Sequence, residues 1–132
     1  MRHVSRGLCI ALFAAAFAVA GLIQAALAST PYSESAFKSA QATGVPILVE
    51  IHAGWCPVCK AQTPIIDALV AQPKFKNLKI FRVDFDSQKS DVQKFGANMQ
   101  STLIVYKGNS EMGRSVGDTK QDSIASLLDK GL

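Results

Sequence analysis

The chain has 132 residues, room for one domain and not comfortably for two. Its formal net charge is +4, but Arg2 and Arg6 sit at the N-terminus, and without them the balance is +2. Lysines scattered through a domain of charge +2 form no basic block, which argues against nucleic acid as a partner.

The first segment differs from the rest. Arg2, His3 and Arg6 form a basic head, Gly7 to Ile23 carry no charge, and Ala26-Leu27-Ala28 has the small-x-small pattern cut by signal peptidase. Residues 1–28 therefore read as a secretory signal peptide, leaving residues 29–132 as an exported domain, periplasmic or secreted. The competing reading is an uncleaved anchor, since the apolar run approaches the roughly 20 residues that cross a bilayer. Membrane association is expected only in that case.

From Ser29 onward, helical and strand patterns alternate. Ser33 is a candidate N-cap, with Tyr32 and Phe37 placed as a hydrophobic staple, and Gly44 and Pro46 end that helix. Ile47 to His52 reads as a buried strand, apolar on both parities except at Glu50 and His52. A second helix runs from about Pro57 to Ala71, with Pro57 suited to its first turn and Pro64 expected to kink it. Leu78 to Phe85 is a strand, and Ser90 to Phe95 a short helix stopped by Gly96. Thr102 to Lys107 and Glu111 to Val116 form a hairpin around Gly108-Asn109. Thr119 opens the last helix, with Asp122 three residues on. Strands separated by helices are expected to be parallel, and the hairpin adds an antiparallel edge. The fold class is thus α/β, with a mixed central sheet of about four strands and helices on both faces.

Cys9 belongs to the leader, so the domain keeps two cysteines, Cys56 and Cys59, spaced C-x-x-C. A bridge closing so small a loop restrains little of the unfolded chain's entropy and makes a poor staple. A bond meant to open and close fits better. Cys56 precedes Pro57 at the start of a helix, facing unpaired backbone N–H groups and the positive end of the helix dipole, a setting that favours a thiolate. Cys59, one turn in, is placed to resolve a mixed disulfide. Trp55 is expected to lean over the pair. A structural zinc would need four ligands; there is no second cysteine pair, and His52 is the only histidine outside the leader.

Ile47 to Pro64, ILVEIHAGWCPVCKAQTP, resembles the active-site strand and helix of the thioredoxin superfamily. The similarity continues through Phe81-Arg82-Val83-Asp84, Lys94-Phe95-Gly96, Thr102-Leu103 and Val116-Gly117. The resemblance implies a thioredoxin-like fold with Cys56 as nucleophile and Cys59 as resolving cysteine. Trp55, Pro57, Val58 and Lys60 fill out the WCPVCK motif. Glu50 falls where many members carry a buried acid, and Arg82 where a lysine often stands near it. Few residues precede the first helix, so the family's first strand is expected to be absent.

Glu50 also has a role independent of family. A carboxyl on an apolar strand is desolvated, its pKa rises, and it can accept a proton from Cys59 directly or through water. A structural ion pair with Arg82 is compatible with this. His52, where family members often carry an aromatic, reads as a packed neutral imidazole. The main departure is Ser101, which stands where the family places a cis-proline against the cysteines. A cis bond before a non-proline residue costs about 2.5–4 kcal/mol, so the Gln100–Ser101 peptide is expected to be trans, with the Ser101 hydroxyl facing the sulfurs. Ser101→Pro is then expected to improve reduction of a generic disulfide.

The function expected is an exported thiol–disulfide oxidoreductase leaning to the reductant side, without a cofactor or resident metal. It would act as a monomer on protein thiols and disulfides and be served by a redox partner protein. The alternative is a metal- or partner-binding module that uses the same thiolates with little redox turnover.

Overall fold

The computed structural model describes residues 28–132. The leader reading, Cys9 included, lies outside them except at Ala28, and none of the described helices is long and apolar enough to cross a membrane. The elements in chain order are β1 (Thr30–Pro31), α1 (Glu34–Thr43), β2 (Pro46–His52), α2 (Pro57–Val70), a 3-10 turn (Pro73–Phe75), β3 (Lys79–Asp84), α3 (Lys89–Lys94), β4 (Thr102–Lys107), β5 (Ser110–Val116) and α4 (Gln121–Asp129).

The five strands form one sheet in the order β1-β3-β2-β4-β5. This corrects the expectation of about four strands with the first one absent. Strand β1 has only two residues, paired in parallel with Phe81 and Arg82 of β3, and the Tyr32 N–H extends the ladder to the Arg82 carbonyl at 2.8 Å. Two residues give no periodic signal, and Pro31 is tolerated because an edge strand need bond on one side only.

Strand direction brings a second correction. Strands β2 and β3 are parallel, as a helical crossover predicts. Strand β4, although also preceded by a helix, runs antiparallel to β2. Helix α3 has six residues and spans about 9 Å, whereas a six-residue strand spans about 20 Å. So short a helix cannot carry the chain back along the sheet, and β4 starts at the end where β3 stopped.

Alternation along β2 divides the core. Ile47, Val49 and Ile51 join Phe37, Phe81, Val83, Val92, Phe95 and Ile104 on the α1/α3 face. Leu48 packs with Ile66, Leu69, Phe75, Leu103, Ile124 and Leu128 on the α2/α4 face. Glu50 and His52 share the parity of Leu48 and so point towards α2.

Local signals explain most helix ends. Ser33 accepts the Ala36 N–H at 3.3 Å, the Tyr32 and Phe37 rings lie 5.8 Å apart, and Gly44 closes α1 at φ 70° with its N–H on the Gln41 carbonyl. Helix α2 runs through Pro64 as one element. Helix α4 departs from expectation: it starts at Gln121 after Lys120, which makes no side-chain cap. Asp118 organises this turn instead of Thr119, accepting the Lys120 N–H at 3.0 Å and the Ser123 hydroxyl.

Candidate active site

Strand β2 delivers the chain to Ala53, and Cys56 becomes the N-cap of α2. Its N–H donates to the Ala53 carbonyl at 3.1 Å, and its Sγ accepts the Cys59 N–H, also at 3.1 Å. A helix N-terminus leaves its first amides unpaired; here one of them is spent on the sulfur. Pro57 follows at the first helical position, where a missing N–H costs nothing. Both cysteines are free and buried, packed with Ala53 and the half-buried Val58. Lys60 is exposed. Trp55 is 58% exposed, and its indole N–H is tied to Asp86 Oδ2 at 2.8 Å, a tether absent from the sequence reading.

A small cavity of about 10 Å³ lies behind Cys59, lined by Glu50, His52, Gln62, Thr63, Arg82 and neighbouring apolar groups. That is about the space one water needs. Burial drives the Glu50 carboxyl above its ordinary range, against the pull of Arg82. The pair is real: Arg82 Nε donates to Glu50 Oε2 at 2.9 Å. Burial also pushes the Cys59 thiol up. The neighbouring Cys56 sulfur adds to this, and the Ala53 and Ser101 backbone acts the other way. His52 is half-buried, and burial together with the Arg82 charge lowers it, which keeps the imidazole neutral near pH 7. Among the described residues, no group of three or more His, Cys, Asp or Glu side chains is gathered to hold a metal.

The Ser101 turn differs from expectation in one respect. Its peptide is trans, as anticipated, but the residue adopts φ 60°, the left-handed region. For a side chain with a Cβ this costs roughly 1–2 kcal/mol. The turn is held by hydrogen bonds: the Ser101 N–H donates to the Ile51 carbonyl at 2.7 Å, and its own carbonyl accepts the Gly117 N–H at 3.0 Å. The hydroxyl does not turn to the sulfurs; it donates to the Gln100 carbonyl. An N–H in use and a positive φ are both closed to proline, which overturns the expectation that Ser101→Pro is beneficial.

Gln62 escaped the sequence reading. It is 2% exposed on the inner face of α2, between Cys59 and Ile66, and its Nε2 donates to the Ser101 carbonyl at 3.2 Å and to the Asp118 carbonyl at 2.9 Å. A polar residue interrupting an apolar stripe at helical spacing was the available signal.

This arrangement is a dithiol at a helix start, backed by a buried acid with a water-sized space between. The thioredoxin family model matches residues 28–130. The chain belongs to the thioredoxin family. A thioredoxin of Chlamydia muridarum is 35% identical over 98 residues, covering 74% of this chain and 93% of that protein. Among solved structures, Trxlp of Edwardsiella tarda is 44% identical, covers 76% of this chain and 98% of its own, and superposes with a TM-score of 0.74. Thioredoxin NaTrxh of Nicotiana alata is 26% identical, covering 78% of this chain and 91% of its own, at a TM-score of 0.67. As a member of this family, the chain is a thiol–disulfide oxidoreductase acting on protein thiols and disulfides.

Proposed function

We propose that the chain is an exported reductant of protein disulfides, working in the periplasm or outside the cell, with the two cysteines in distinct roles. The carrying observation is the Cys59 N–H donating to Cys56 Sγ at the start of α2, which favours negative charge on that sulfur. In this reading the Cys56 thiolate attacks a substrate disulfide, forming a mixed disulfide and expelling one substrate sulfur as a thiolate. Cys59 then gives its proton to Glu50 through the water-sized cavity and attacks the Cys56 sulfur. The second substrate sulfur leaves, the Cys56–Cys59 bond forms, and two electrons have passed to the substrate. A redox partner protein restores the dithiol.

The reductant direction is supported by the Pro57-Val58 dipeptide, which lacks the histidine that would favour the reduced thiolate in a strong oxidant. Export is supported by the basic head, apolar run and Ala26-Leu27-Ala28. A monomer, cleaved from its leader, is the form this reading expects. The direct test is Cys59→Ser: the variant should accumulate mixed disulfides through Cys56, visible as adducts on non-reducing gels and lost on reduction. No adduct would sink the assignment of roles. Alkylation of thiols in cells should find the pair mostly reduced while its reducing pathway is intact; a pair always oxidised would rule out the reductant.

A further inference from the structure

Gln62 and Ser101 are linked in a way that the described chemistry does not by itself require. Ser101 is the only non-glycine residue among those described with a positive φ. It occupies the position where the family carries a proline whose ring would restrict the backbone. A serine has no such restriction and would relax towards a negative φ unless something held it. Its N–H is taken by Ile51 and its carbonyl by Gly117. The third bond comes from outside the sheet, from the Gln62 side chain, which ties the Ser101 and Asp118 carbonyls to α2. That amide is buried beside Cys59 and lines the same small cavity. Ile51, the partner of the Ser101 N–H, lines that cavity too, and the Ser101 backbone favours the Cys59 thiolate.

We propose that Gln62 is a positioning residue for the resolving step, clamping the Ser101 turn in its left-handed conformation and so fixing the wall of the cavity that Gln62 and Ile51 share with Cys59. The clamp does in this chain, through a side chain on the catalytic helix, what ring geometry does for a proline. It rests on Cys59 being the resolving thiol. A Gln62 that merely satisfied two buried carbonyls would contribute to stability and leave the two thiol steps equally fast.

The two cases separate in stopped-flow reaction of the reduced full chain with 5,5′-dithiobis(2-nitrobenzoate). Attack by Cys56 releases one thionitrobenzoate, and attack by Cys59 on the resulting mixed disulfide releases the second. Gln62→Leu should slow the second release roughly five- to tenfold, the rate equivalent of one lost hydrogen bond. The first release should stay within about twofold, and the pH profile of the second should move to higher pH. In a Ser101→Gly background the left-handed turn carries no Cβ penalty, so the same substitution should slow the second release by less than about twofold. Equal slowing in both backgrounds, or no selective slowing at all, overturns the clamp. If Gln62→Leu does not fold, Gln62→Met serves the same comparison. Cys59→Ser is the control: a second release that persists without Cys59 defeats the resolving assignment, whereas a clamp failure leaves that dependence intact.

Discussion

At the scale of single residues, Ser101 carries the most information. Its backbone is committed twice, through an N–H to Ile51 and a carbonyl to Gly117 and Gln62. Ser101→Pro removes the donor and demands a φ near −65°, so it should destabilise the domain by about 3 kcal/mol. Ser101→Gly relieves left-handed strain but increases the freedom of the unfolded chain, and should stay within about 1 kcal/mol of wild type. Urea denaturation of the two variants checks both; a Ser101→Pro protein as stable as wild type would mean the turn can convert cheaply to the family's cis form. The departure from proline was visible in the sequence. Its consequence was not, because φ and the choice of partner for the hydroxyl depend on where Ile51, Gly117 and Gln62 come to lie.

Among the elements, legibility followed the range of the forces involved. Helix α1 was readable at both ends because its staple, N-cap and glycine stop act over a few residues. Ser33→Ala removes the oxygen that accepts the Ala36 N–H and should cost about 1 kcal/mol, read as a lower urea midpoint with an unchanged slope. A midpoint equal to wild type would mean that water or neighbouring backbone replaces the cap. Helix α4 was misread at its start, where Asp118 bonds forward to Lys120 and Ser123 and Thr119 takes no part. Strand β1 was missed because two residues carry no alternation. The direction of β4 was misjudged because a helix was taken as a full crossover, when the length of α3 decides the matter.

For the whole molecule, the site depends on burial that the sheet and α2 create together. Glu50 is ionised less readily in the fold than in the open chain, burial being the largest cause and Arg82 opposing it. A raised native pKa means that the folded state binds the proton more tightly. The associated stability is therefore fully present below the ordinary carboxylate range and is lost as pH rises through the native value. Glu50→Gln keeps an oxygen for Arg82 and cannot ionise. Its thermal midpoint should match wild type near pH 4 and exceed it by a few degrees near pH 8. A gap that does not change with pH would mean that Glu50 is not elevated. The same variant should slow the Cys59 step, because the proton acceptor is gone.

The sequence by itself determined the α/β class, most helix and strand cores, and the placement of a C-x-x-C pair at a helix start. These follow from periodicity, capping chemistry and spacing, which are local. The resemblance of its Trp55–Lys60 motif to the thioredoxin superfamily already points to the family. Tertiary structure alone decided the fifth strand, the reversal at β4, the water-sized space behind Cys59, and the union of Gln62 with Ser101 across 39 positions of chain. Those features depend on which distant groups meet, and a buried polar group takes whatever partner the fold brings within reach. At the cysteine pair, the thiols were legible in advance, and the hydrogen bonds that hold the chain around them were not.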